Sequence, residues 1–342
     1  MVQQATIPFQ FTYGEIEKLF FEFEKLLKKK SAFVPSGSNL ERAGLTAFQM
    51  LATYKKEIAH NYKIDYRNEW RRVCSMADIL RKIIFLQNYP AFDFVWPHVL
   101  LLLGNGEIAQ NLWSPKEDGH ANKVFELYSA LLTLPLCTRI DLDDPQLSSG
   151  GKNPDIIANI QNVSWGIACK VMHSSSAKSM LDRVREGIEQ IEKCDNVQNG
   201  LVVVSLKNII PHDDLWPAVR KPETEELIYL SALDDSIVVR TLKGICKFYE
   251  IELLNLLGGK EGFRALYTGT KVEPLILVHL CTATTLLRNG KPTFTLIRML
   301  VAIAVDEPLP QNARTLAVAM NEVLHDNYLD PKTMASNLSR FG

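Results

Sequence analysis

The chain has 342 residues, enough for one large domain with additions or for two domains. Its 46% hydrophobic and 23% charged residues describe a globular chain with a sizeable core. A formal net charge of −1 excludes a globally basic nucleic-acid binder, so any contact with a polyanion must rest on a local patch.

In chain order, residues 14–31, 39–62 and 66–88 carry amphipathic spacing and predict three helices. Lys28, Lys29 and Lys30 suit the negative end of a helix dipole. Arg67, Arg71 and Arg72 form a second small basic cluster. Residues 1–110 therefore read as a helical N-terminal region. The pattern changes at Asn122. A helix over 122–135 precedes short strand-like segments at 138–142, 155–160 and 164–171. Met180, Val184, Ile188 and Ile191 predict a helix over 176–193, and Leu201–Leu206 is an apolar run typical of a strand buried on both faces. Residues 223–257 read as helical. Asn289-Gly290 between apolar runs in 274–305 predicts a hairpin. A helix over 312–327 and a loose tail close the chain. The expected class is α/β (α+β), with a core over 111–305 and C-terminal additions over 306–342.

Metal-dependent phosphodiester hydrolysis needs carboxylates to hold a hard cation and a positive group near the developing phosphate charge. A strand hairpin can supply both. Here Asp155 opens the first strand and Gln161-Asn162-Val163 makes the turn. Trp165, Ile167, Cys169 and Val171 share one face of the second strand, while Ser164, Gly166, Ala168 and Lys170 share the other. Lysine inside an apolar strand is costly unless its charge is used, which singles out Lys170.

Pro154-Asp155, then Ala168-Cys169-Lys170, a following helix with Gln190 and the strand Leu201–Leu206 together resemble the PD-(D/E)xK nuclease superfamily. Glu126, in the preceding helix, resembles the glutamate of that family's leading helix. The resemblance covers roughly residues 120–210. It implies a restriction-endonuclease-like αβββαβ core and a Mg²⁺- or Mn²⁺-dependent nuclease acting on DNA or RNA, in restriction or anti-phage defence. Under it, Asp155 is the central metal ligand and Glu126 a second ligand. Cys169 offers its backbone carbonyl to the metal. Lys170 orients the attacking water or neutralises phosphate charge, and Gln190 supports the site. The family usually has Asp or Glu where this chain has Ala168. Three accounts stay open: an acid moved to another element, a substitution that disables the site, or a nuclease-fold module that binds DNA or protein without cutting. Weak net charge implies that DNA contact uses local clusters, a second subunit or a partner protein.

Plain structural readings stand beside these. Asp155 can simply begin a strand, Glu126 can be a surface helix residue, and Lys170 can snorkel from an edge strand. His212-Asp213-Asp214 reads as a turn or cap, and His173 as a structural histidine. Gly258-Gly259-Lys260 lacks the rest of a phosphate loop. The six cysteines have no CxxC spacing, which argues against zinc, and their apolar settings suit buried thiols in a reducing cytoplasm. The longest apolar run, near Met299–Val305, is far below the roughly 20 residues of a membrane span. The N-terminus has no leader pattern. A cytoplasmic protein with no membrane contact is expected.

Overall fold

A computed structural model describes residues 13–55, 65–115, 118–143, 153–225, 227–288, 291–306 and 309–326. The N-terminal periodicity becomes α1 (Tyr13–Lys29), α2 (Asn39–Lys55), α3 (Arg67–Leu86) and α4 (Phe92–Val99), the last running into a 3-10 turn. Four of the six basic residues singled out in the sequence are tied to acids: Lys30 to Asp93 at 2.6 Å, Arg67 to Asp65 at 2.7 Å, Arg71 to Asp213 at 2.8 Å and Arg72 to Glu107 at 3.1 Å. These pairs fasten helices to neighbouring loops.

Then come α5 (Gly119–Thr133), β1 (Cys137–Leu142), β2 (Ile156–Ile160), β3 (Val163–Val171), α6 (Ala177–Glu192) and β4 (Asn199–Ser205). The Asp118 side chain caps α5 by accepting from the Ala121 amide. The β2–β3 turn is a two-residue loop with Gln161 at φ 52° and Asn162 at φ 65°. Positive φ at both positions matches the right-handed twist of a tight hairpin.

Residues 223–257, expected to be helical, instead begin with a small antiparallel pair. β5 (Ala218–Arg220) meets β6 (Leu227–Leu230), and α7 (Asp235–Leu257) starts only where Asp234 accepts from the Ser236 amide. Pro222 and the Leu-Ile-Tyr-Leu run oppose helix here, and Asp234 supplies the true N-cap. Gly258, at φ 76°, ends α7 in the left-handed conformation, and Gly259 precedes α8 (Lys260–Tyr267). β7 (Val272–Arg288) and β8 (Lys291–Ala304) pair from Leu275↔Ala304 to Arg288↔Lys291, the register of a two-residue Asn289-Gly290 connection. The connection itself lies outside the described residues, as does the expected tail over 328–342. α9 (Gln311–Leu324) follows.

The six strands form one mixed sheet in the order β1-β2-β3-β4-β7-β8. β1, β2 and β3 are antiparallel, β3–β4 and β4–β7 are parallel, and β7–β8 is antiparallel. One face packs Ile156, Ile167, Leu201, Val203 and Leu277 into a core shared with α3, α4, α5 and α9, behind which α1 and α2 pack on α3. The other packs Ala168, Val202, Val204, Ile276 and Val278 against α6, α7 and α8. β4 is thus buried on both faces by strict alternation, which explains its uninterrupted apolar sequence. Among the described residues, no helix is long and apolar enough to cross a membrane.

Candidate active site

The β2 ladder stops at Ile156, and the residue before it completes the pattern with its side chain. Asp155 accepts from the Cys169 amide through Oδ2 at 2.6 Å, so its carboxylate takes the place of the next strand carbonyl. Asp155 is 9% exposed. Burial raises its pKa, opposed first by the charge of Lys170 and then by the Cys169 amide. β3 alternates as its sequence implies. Trp165, Ile167, Cys169 and Val171 face the α5 side, and Ala168 faces α6.

Lys170 extends along the α6 side and donates from Nζ to Gln190 Oε1. Gln190 lies one turn beyond Gly187, where α6 comes closest to the sheet. A Cβ at Gly187 would lie 3.2 Å from the Ala168 methyl and 3.1 Å from Val202. Ala168 is fully buried in that contact. Position 168 is therefore a helix–strand packing point as well as the position where an acid was expected. Glu186, one turn before Gln190 on α6, points to solvent and pairs with Arg183 at 2.7 Å.

Glu126 comes from the opposite side, two turns into α5, and is 5% exposed. Burial and then the charge of Asp155 push its pKa up to about 8, against the pull of Lys123. Two residues that the sequence reading left out complete the cluster. Lys123 Nζ lies 2.8 Å from Glu126 Oε2 and 3.5 Å from Asp143 Oδ2. Asp143 continues the β1–β2 ladder, its amide donating to the Asp155 carbonyl at 3.0 Å, and its own carbonyl meets His98 Nε2 at 2.9 Å. Burial lowers the Lys123 pKa, but Glu126, Asp143 and Asp155 together outweigh it and the net shift is upward. Glu126, Lys123, Asp143 and Asp155 thus gather at one end of β2 and β3 on the α5 side, while Lys170, whose charge Asp155 feels, and Gln190 stand on the α6 side.

The fit of a divalent cation can be judged from this donor set. Among the described residues, no three His, Cys, Asp or Glu side chains group closely enough to hold a metal by themselves. Mg²⁺, however, is commonly held by one or two carboxylates with water in the remaining positions. Lys123 and the Cys169 amide each take one oxygen, from Glu126 and Asp155 respectively. Two buried carboxylates, the charge of Asp155 felt by Glu126, with oxygens left over from these bonds suit an ion that keeps most of its water, so the residues fit such an ion.

Three other groups have structural partners. His212 bridges Thr282 Oγ1 and the Lys207 carbonyl, and Asp213 serves Arg71. His173 Nδ1 meets Asn208 Nδ2 at 3.1 Å. All six cysteines are free thiols. Compared with protein-family models, with curated proteins and with solved structures, the chain shows no significant match.

Proposed function

We propose that this protein is a metal-dependent endonuclease of PD-(D/E)xK type acting on DNA, with an atypical acid set. The observation that carries the reading is the approach of Asp155, Glu126 and Lys170 from three elements to one end of the sheet, with the two carboxylates buried and their pKa values raised. The helix, three strands, helix, strand order of α5 to β4 supports a restriction-endonuclease-like core.

In this reading Asp155 and Glu126, with the Cys169 carbonyl, would hold Mg²⁺ or Mn²⁺. The ion would supply Lewis-acid polarisation of a phosphate oxygen and a more acidic bound water. The protein's own groups do the rest. Gln190 fixes the Lys170 ammonium in one orientation, and Lys170 places a positive charge where phosphate charge develops. The Cys169 amide holds Asp155 in a single rotamer.

The test is cleavage of supercoiled plasmid with Mg²⁺ or Mn²⁺. Nicking or linearisation by the wild-type chain should fall on the order of a hundredfold or more in Asp155→Asn and Lys170→Met. Equal cutting by Asp155→Asn would refute the assignment. A second reading, a nuclease-fold module that binds DNA without cutting, is favoured by the burial of Ala168 under α6. It predicts no cleavage together with DNA binding that weakens steeply with salt.

A further inference from the structure

Lys123 stands apart from the other cations of the cluster. Lys170 is engaged by Gln190, a neutral partner, whereas Lys123 is engaged by acids alone in the contacts seen here. Its ammonium lies between carboxylates from separate parts of the chain: Glu126 on α5 and Asp143 just after β1, with Asp155 at the start of β2 close enough for its charge to be felt. An exposed i,i+3 pair on a helix is worth only a few tenths of a kcal/mol and needs no further acids. Here the Glu126 and Asp143 side chains are 7% and 9% exposed, and that of Lys123 is 16% exposed. The ammonium thus occupies an acidic cleft and touches an oxygen that a metal ion bound to Glu126 would use.

The lysine stem allows that position to be vacated. Four methylenes let the ammonium swing toward solvent without backbone movement. The residue already has an opening to solvent, unlike Lys82 in the fold's interior, which has none. Resting on the metal reading above, we propose that Lys123 is a resident counter-ion that a divalent cation must displace from Glu126 and Asp143, so that it sets the metal affinity of the site. The cluster then exchanges one built-in positive charge for a mobile double one. Asp155, held by a backbone amide, stays in place throughout.

Two measurements on the full chain test this without relying on catalysis. In the first, Mn²⁺ is titrated by calorimetry into wild type, Lys123→Met, Lys123→Arg and Asp155→Asn, with circular dichroism confirming folding. Lys123→Met should bind Mn²⁺ about tenfold more tightly or better, since a charge-assisted competitor is gone. Lys123→Arg should stay near or below wild type, and Asp155→Asn should lose binding. In the second, wild-type lysines are acetylated with a water-soluble reagent and mapped by mass spectrometry with and without Mg²⁺. Lys123 should label faster with Mg²⁺, and Lys82 should not change. This arm needs no variant to fold. If Lys123→Met binds no more tightly than wild type while Asp155→Asn loses binding, or Lys123 labelling is unchanged in a wild type that binds the ion, the counter-ion role is wrong and the metal site stands. If no form binds Mn²⁺, the metal reading itself falls and takes this one with it.

Discussion

Two buried charge clusters in this protein are built from similar residues and behave in opposite ways. Between α3, α5, the β7–β8 hairpin and the end of α9, Asp78 and Asp326 meet Lys82 and Arg298. Tyr128 donates to Asp78 at 2.7 Å, and Lys82 also reaches the Leu324 carbonyl at 3.3 Å. Although burial alone would raise the Asp78 pKa, Arg298 and Lys82 bring it down to about 2. Around Glu126 the arithmetic differs: Glu126, Asp143 and Asp155 are three acids, and Lys123 and Lys170 are two bases. There the Glu126 and Asp155 pKa values rise. The first cluster is satisfied by its own residues and serves as a fastener for the C-terminal helix. Among the described residues the second sets three acids against two bases, and a buried imbalance of that kind is what a bound ligand can complete.

The comparison fails if both clusters respond alike to losing a cation. Arg298→Met strips the satisfied cluster of a buried guanidinium and leaves Asp78 and Asp326 underpaired, which should cost about 3–5 kcal/mol in urea unfolding. Lys170→Met, at the unsatisfied cluster, should cost well under half as much, because Lys170 is partly exposed and its partner Gln190 is neutral. Equal losses would mean that the site cluster is a structural network like the other.

A second prediction separates packing from chemistry at position 168. If an acid were merely missing there, Ala168→Glu would improve the site. The contact of Ala168 with Gly187 and Val202 says otherwise: a longer charged side chain must lift α6 or bury its carboxylate against apolar groups. We expect Ala168→Glu to destabilise the protein by about 2–3 kcal/mol without tightening Mn²⁺ binding. Rescue of stability by Mn²⁺ would show that the new acid reaches the ion.

How much of this was legible in the sequence follows from what each feature depends on. The strands from 138 to 206 and the β7–β8 hairpin were legible because period-2 alternation and Asn-Gly are local signals. So were Asp155 and Lys170, an acid at a strand start and a lysine on a face of small residues. The pair β5–β6 was not, because Glu and Leu around 225–227 suit a helix until Pro222 and the Asp234 cap are weighed. Lys123 looked like any lysine three residues from a glutamate. Its role depends on the β1–β2 register that sets Asp143 beside Asp155, and no local pattern encodes that. The reason for Ala168 lies 19 positions away at Gly187, in the depth to which α6 settles on the sheet.

The finest test of the contrast is the pH dependence of stability without divalent metal. Glu126 titrates near 4.5 in an unfolded chain and about 8 in the fold. Between those values the unfolded chain has released this proton while the folded chain still holds it, so stability must fall as pH rises through the window. Below about 4.5 the two states bind the proton alike and the penalty is absent; above about 8 it is complete and constant. Asp155 shifts in the same direction, so the two titrate as a pair and add to the slope. The satisfied cluster works the other way, since Asp78, depressed to about 2, contributes stability that is lost only as pH falls toward that value. Glu126→Gln should therefore remove a decline of about 1 kcal/mol between pH 6 and pH 7, measured by urea unfolding at each pH. Saturating Mg²⁺ should flatten the wild-type curve in the same interval by holding Glu126 ionised. A wild-type curve already flat from pH 5 to pH 8 without metal would mean that Lys123 and Lys170 suffice to balance the three acids, and the contrast between the two clusters would be lost.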